Sequence, residues 1–495
     1  MKPFRIRKVL LLTLTVSIVC ITSCEDLLDR KPYDGLIKSE FWQNEDDVRA
    51  AVMGCYDQLQ ELLGNYIMWG EGRSDLIEVK KDNQKIDLNK QIVSQYNGLT
   101  NWKPFYVAIN RANTVIENAP GAQEIDENFT EDELQAYIGE CLFIRSLCYF
   151  YLVRTFKEVP LITASYATDD QEYYYPKSTS AEIYQQIIED LETAEPDIPE
   201  SYGNPVEDHG RGTKGSVNAL LADVCLWMGL EDPTYYELSV EAADRVIASG
   251  IYQFVEPSSW FSIFFPGNSS ESIFELQFDA ALLERNDMVD WFSTEGETPT
   301  YQVRTNPQTS KVEFWLEDLA VEDANRGKMR SYATVSNDNI VWKYSGSGSS
   351  VTNRRQVDFS DCHWIFYRLA EVHLMKAEAL NQMGNREAGA AEVNILRQIR
   401  ELPPLDQSIS GENLDLEILR ERKRELAFEG KRWYDLMRYS RIHGPDFLVN
   451  RIYKAWDDIE ISQRIVNPES WYLPIFFEEL RINKSLVQNP YYAYQ

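Results

Sequence analysis

Residues able to make or break bonds are abundant in this chain but poorly arranged for doing so. The four histidines, His209, His363, His373 and His443, are scattered, with no HExxH and no Cys/His ligand spacing, so a transition-metal site has no support. Neither GxSxG nor a Walker A loop occurs. Adjacent carboxylates such as Asp46-Asp47 and Asp169-Asp170 arise by chance in a chain with 79 Asp and Glu, and sequence neighbours do not frame a cleft as a glycosidase pair must. Gly210-Arg211-Gly212, followed by Gly215, could seat an anion at a helix N-terminus. No strand precedes it, and a tight turn entering a close-packed helix is the plainer account. The chain has seven cysteines and no CxxC; those within apolar helical patterns (Cys55, Cys141, Cys148, Cys225) read as buried free thiols. The chemistry left is binding, not catalysis, with no cofactor and no metal.

Charge narrows the partners. A formal net charge of −30 repels a phosphate backbone, which argues against nucleic acid. Apolar residues at 44% and charged residues at 26% describe an ordinary globular chain long enough for more than one domain.

The start of the chain is an export signal. Lys2, Arg5, Arg7 and Lys8 precede an apolar run over residues 9–21 that is too short to span a bilayer. It ends Ile21-Thr22-Ser23-Cys24, which resembles a bacterial lipobox, in which cleavage leaves Cys24 as a lipid-bearing N-terminus. Removing residues 1–23 deletes four positive and no negative charges, taking the net charge from −30 to −34. Acyl chains at Cys24 would hold the protein on a membrane at about 0.8 kcal/mol per buried methylene. Residues 24–45 then form a tether.

Helical periodicity dominates the mature chain. It predicts helices over residues 46–62, 102–118, a third opening at Thr130, and residues 180–194, 215–229 and 235–249. A further pair covers 365–383 and 387–400, and one long helix covers 414–439. Paired helices with Ala and Gly at their crossings point to tetratricopeptide-like packing. The fold class is mostly α: residues 46–253 and 361–495 make the scaffold, and residues 254–360 an inserted loop-rich subdomain. Alternation at Ile273-Phe274-Glu275-Leu276 and at 340–344 predicts short strands there. Loops held on a rigid frame are where binding usually resides.

Residues 418–438 carry opposite charges three apart: Glu421–Arg424, Arg422–Glu425, Glu429–Arg432 and Asp435–Arg438. So many pairs exceed the needs of one helix, which suggests bridges to neighbouring helices. Glu425, Glu429 and Arg432 then read as a structural lock rather than a binding face. Gly430 inside the helix would be tolerated if another backbone pressed against it. With Cys24-Glu25-Asp26-Leu27-Leu28-Asp29 and residues 367–379 (Tyr-Arg-Leu-Ala-Glu-Val-His-Leu-Met-Lys-Ala-Glu-Ala), this segment resembles the SusD/RagB family of outer-membrane lipoproteins. Trp102 with Asn110 and Asn113, Arg145 to Tyr151 leading to Val159-Pro160-Leu161, and Leu473-Pro474-Ile475 with Asn483, Leu486 and Gln488-Asn489-Pro490 extend the resemblance over nearly the whole mature chain. A second proline expected near Pro474 is missing.

The resemblance implies four tetratricopeptide-like helix pairs and a lipid-anchored place on the outer-membrane surface. It implies a role as lid of a SusC-like TonB-dependent transporter, capturing glycans or in some cases peptides without catalysis. The matched blocks belong to the scaffold, so no ligand residue follows from them. Sugars are held by aromatic faces with amide or guanidinium groups reaching hydroxyls. Two inserted regions offer that mixture: residues 82–97, with Asn83, Tyr96 and Asn97, and residues 286–315, with Trp291, Tyr301 and Arg304 beside Gln302 and Asn306. Trp102, Trp260, Trp433 and Trp471 fall in scaffold patterns and are excluded. The alternatives are a peptide- or protein-binding helical-repeat lipoprotein and a surface glycosidase.

Overall fold

The computed structural model describes residues 41–166, 174–292, 303–305, 341–348, 355, 361–406 and 408–493. Cys24 with its leader, Tyr301, Gln302 and Asn306 lie outside them.

Helices begin where polar caps meet the chain. Asn44 accepts from the Asp47 amide at 3.0 Å and opens α1 (Glu45–Glu61). Thr130 with Glu133, and Thr179 with Glu182, form reciprocal capping boxes before α3 (Glu131–Phe156) and α4 (Ser180–Ala194). Between α1 and α3, α2 (Lys103–Ile125) runs past the expected end and through Pro120. A third box, Thr213 with Ser216, opens α5 (Lys214–Met228), which α6 (Tyr235–Ala248) follows. A Cβ on Gly215 would run into the Tyr252 ring, so the glycine-rich stretch is a turn into a close-packed helix. Beyond the loop-rich part come α7 (Leu369–Gln382), α8 (Arg386–Ile399), α9 (Gly411–Leu426), α10 (Arg432–His443) and α11 (Asp446–Trp456).

Each helix hides its apolar stripe on the next. α1 packs on α2, α3 on α4, α5 on α6 and α7 on α8, and the α2–α3 and α6–α7 contacts join the pairs. Every residue of α3 from Gly139 to Phe156 is buried, which makes it the central helix. The residues carrying the family resemblance do scaffold work here. Arg145 donates to Asp190 at 2.7 and 2.6 Å and to Asn113 at 2.8 Å, tying α3 to α4 and α2. Cys55, Cys141, Cys148, Cys225 and Cys362 are buried free thiols.

Two small antiparallel sheets complete the frame. β1 (Ile77–Val79) pairs with β3 (Val303–Thr305), placing Glu78 opposite Arg304. β2 (Ser272–Leu276) pairs with β4 (Trp364–Arg368), which runs directly into α7. Phe274 of β2 stacks on Phe366 of β4 and meets Phe143 of α3 edge-on, so this sheet is pinned to the central helix. Two expectations are corrected. Residues 365–368 are strand rather than the start of a helix, and of the strand expected at 340–344 residues 342–344 lie instead in a short helix, Trp342–Ser345.

The long helix expected over 414–439 is broken at residues 427–431. Phe428 and Gly430 sit at φ 68° and 72°, so Gly430 is in the break and not inside a helix. A Cβ on Gly70, in the π-helical turn Met68–Gly72, would overlap the Gly430 backbone, so another backbone does press there. The carbonyls freed at the break are taken by buried cations. Lys343 Nζ donates to the Glu425 and Ala427 oxygens at 2.9 Å each, and Arg368 donates to the Glu425 oxygen at 2.7 Å.

Those cations belong to a buried, charge-balanced network. Arg368 bridges Glu271, Glu425 and Glu429 at 2.8–2.9 Å, Arg400 bridges Glu271 and Glu425, and Lys343 reaches Glu429 at 2.6 Å. Three cations meet three carboxylates, so removing any one leaves an uncompensated charge away from water. Arg432 grips Asp75 at 2.8 Å. Glu425, Glu429 and Arg432 are therefore the structural lock. Of the four expected pairs, Glu421–Arg424 and Asp435–Arg438 form; Arg422 instead joins Asp435 and Glu371, and Glu429 turns to Arg368 and Lys343.

The last residues return to the N-terminal half. Arg73 donates to the Ser470 carbonyl at 2.8 Å and also to that of Trp471. The Leu473 amide donates to Thr155 and the Phe477 amide to Gln95.

Candidate ligand-binding face

The two loop regions singled out by composition meet in space. Asp82, at φ 70°, accepts from the Gln84 amide at 3.0 Å and so starts the short helix Asn83–Asn89. Its carboxylate also holds Lys85 at 3.1 Å. Burial works to raise the Asp82 pKa, but the Lys85 ammonium and the Gln84 and Lys85 amides together outweigh it and hold the group below its usual value. Lys85 in turn places its ammonium 4.1 Å from the centre of the Trp291 indole, on the helix Asp287–Phe292. The β1–β3 pairing brings the chain at Arg304 beside the same short helix.

Trp291 is half-buried, its edge seated over Gly64, where a Cβ would lie 3.3 Å from the ring. Gly64, in the short helical turn Leu63–Ile67 that follows α1, clears room for the indole. A cavity of about 390 Å³ opens beside the ring, bounded by Asp57, Gln60 and Glu61 of α1 and by Phe278, Leu283 and Met288. That volume is in the range of small-molecule sites. Leu283, in the left-handed region, is 83% exposed at the edge of this cavity.

The other candidates divide. Asn83 is exposed at the start of its helix, and Tyr96 is 65% exposed, its ring 5.2 Å from that of Phe477. Asn97 turns inward: its Oδ1 accepts from the Leu99 amide and its Nδ2 donates to the Gln84 carbonyl. It therefore braces the loop that presents Tyr96. Trp102, Trp260, Trp433 and Trp471 are all buried, as their patterns required. Gln60, Glu61 and Gly64 were not foreseen as part of this face, because helical spacing alone does not say which polar flank of α1 borders a cavity. Among the described residues no group of His, Cys, Asp and Glu could hold a metal ion.

Stacked helix pairs joined by small sheets define a tetratricopeptide-like helical-repeat scaffold. Comparison with known proteins gives the lineage. A model described as the SusD family matches residues 298–492, and one described as starch-binding, associating with outer membrane, matches residues 26–226. The chain belongs to the SusD/RagB family. It is 25% identical to SusD-like protein P38 of Formosa agariphila, across 99% of this chain and all of that one. A SusD-like protein of Bacteroides ovatus is also 25% identical, over 90% of this chain and 85% of its own. Among solved structures, a SusD superfamily protein of Bacteroides thetaiotaomicron superposes with a TM-score of 0.74 at 22% identity, covering 91% of this chain and 99% of that one. A laminarin-binding SusD-like protein superposes at 0.71, also at 22% identity, over 90% and 99% of the two chains.

Proposed function

We propose that this protein is a lipid-anchored, surface-exposed glycan-binding protein of the outer membrane. It hands oligo- or polysaccharide to a SusC-like TonB-dependent transporter and leaves every glycosidic bond intact. The observation that carries the reading is the meeting of Lys85 and β1 with Trp291 and β3 on one face, beside a cavity lined by the Trp291 ring, the Gln60 amide and the carboxylates of Asp57, Glu61 and Glu284. Trp291 supplies the stacking surface, Tyr96 and Tyr301 further rings, and Asn83 and Arg304 polar groups for hydroxyls, while Cys24 carries the lipid. Family membership and the laminarin-binding neighbour support glycan as the ligand class.

The test is a calorimetric panel of glycans and peptides against the purified chain, with product analysis for chain length. A glycan should bind without being shortened, and Trp291→Ala should weaken it by about 1 kcal/mol or more, roughly fivefold. Binding only by peptides would replace this reading with that of a peptide-capturing scaffold, and shortening of the glycan would make the protein an enzyme.

A further inference from the structure

Trp291 borders the cavity beside α1, whereas Lys85, whose ammonium lies 4.1 Å from the centre of its indole, does not. One face of the ring is thus covered by a cation from the other inserted segment. That cation is itself well fixed. Its side chain is only 16% exposed, and Asp82 holds it at 3.1 Å. Asp82 in turn is set by the Gln84 amide, which donates to it at 3.0 Å. The short helix Asn83–Asn89 that carries Lys85 is tied to the loop beyond it: Asn97 Nδ2 donates to the Gln84 carbonyl at 2.8 Å and the Gly98 amide to the Gln84 side chain at 3.0 Å. On the ring's own side, Met288, Val289 and Phe292 are buried and anchor the helix Asp287–Phe292, and the indole edge rests over Gly64. A half-buried tryptophan at a cavity mouth would otherwise sample several rotamers, and a ligand that stacks on it would lose affinity to the ordering.

We propose that Lys85 is a positioning residue of this site: set by Asp82, its ammonium clamps the Trp291 indole in one orientation, so that a sugar meets a ring face already in place. This rests on the glycan-binding reading above and adds to it the group that prepares the stacking surface. Attraction between an ammonium and an indole face grows as water is withdrawn, and Lys85 is mostly covered. The sugar's own contact draws on dispersion and desolvation at the free face of the ring, which an ammonium behind it leaves in place. The gain is in order, because a ring fixed in the free protein has less freedom to lose when the complex forms. Arginine at position 85 would keep a cation over the indole, and alanine would not. Asparagine at position 82 would keep an acceptor for the Gln84 amide but lose the charge that holds Lys85.

The experiment is a double-mutant cycle on the purified full chain, read by calorimetry with a glycan that binds in the panel. Lys85→Ala should weaken that glycan about 3- to 10-fold, the range expected for ordering one large side chain. Lys85→Arg should return the affinity to within ~2-fold of the parent, and Asp82→Asn should fall between the two. In a Trp291→Ala background, Lys85→Ala should cost less than ~2-fold, because Lys85 acts only through the ring. An equal loss in both backgrounds would make Lys85 a ligand contact in its own right, and no loss in either would remove it from the site. Either result overturns the positioning role and leaves glycan binding standing. The ring's orientation is also read with no ligand present, by fluorine NMR of the chain labelled with fluorotryptophan. The Trp291 resonance, identified by its loss in Trp291→Phe, should shift or broaden in Lys85→Ala and recover in Lys85→Arg; a resonance that Lys85→Ala leaves unchanged would overturn the proposal. Failure of every glycan to bind, with this fluorine response present, would instead overturn the glycan-binding reading beneath it.

Discussion

At the scale of single residues, the interior of this protein is unusually ionic, and one member stands apart. Glu71, in the turn Met68–Gly72, is buried with Oε1 unpartnered, its Oε2 accepting from Ser74 at 3.3 Å. Burial pushes its pKa up to about 8 despite the opposing pull of Arg432. Between the ordinary carboxylate range and pH ~8 the folded chain therefore holds a proton that the unfolded chain has released. The stability this provides is complete below about pH 4.5 and falls as pH rises toward 8, by at most ~1.4 kcal/mol per unit. Glu71→Gln, neutral throughout, should lose this slope. Urea unfolding at pH ~5, ~6.5 and ~8 would show it, and identical slopes in both proteins would exclude the effect. The charges of residues 418–438 were legible as a bridging lock because opposite signs recur every three positions. Their burial was not, because an Arg–Glu pair reads the same in sequence whether it faces water or a helix.

At the scale of elements, caps and periodicity placed the helices well. The helix opening at Thr130 and the run at 180–194 stand where the sequence put them, because in each a hydroxyl followed three residues later by Glu satisfies the first turn locally. The failures are where distant parts decide. The break at residues 427–431 exists because Lys343 and Arg368 take its carbonyls and because Gly70 crosses Gly430. Nothing within residues 414–439 states that. β4 was read as helix because a strand buried on both faces lacks alternation. The crossing itself is testable. At Gly430 a methyl group would lie 2.8 Å from the Trp364 ring, on a backbone with φ 72°. Gly430→Ala should cost about 1–3 kcal/mol, seen as a lowered denaturation midpoint. Gly54→Ala, in α1 with open space around its Cβ, should be neutral or slightly stabilising.

At the scale of the whole molecule, the order of helix pairs was readable from the Ala- and Gly-rich crossings, and the ligand face only as two compositional islands. Their meeting depends on a β1–β3 pairing across more than two hundred residues, which composition cannot encode. In the proposed reading, attachment to the membrane rests on Cys24, outside the described residues. Replacing it, Cys24→Ser, should leave the fold intact but move the protein from the membrane to the soluble fraction and abolish incorporation of labelled palmitate. Retention in the membrane would remove the lipid anchor from the proposal.

The strip from Ser470 to Phe477 also bears on biosynthesis. It supplies carbonyls to Arg73 and amides to Thr155 and Gln95, so the first half of the chain lacks its closing seam until the final stretch is available. A polypeptide still being made cannot shut into its finished form. That delay would suit the exported lipoprotein proposed above, which would pass an export pore before these two parts of the chain lock together.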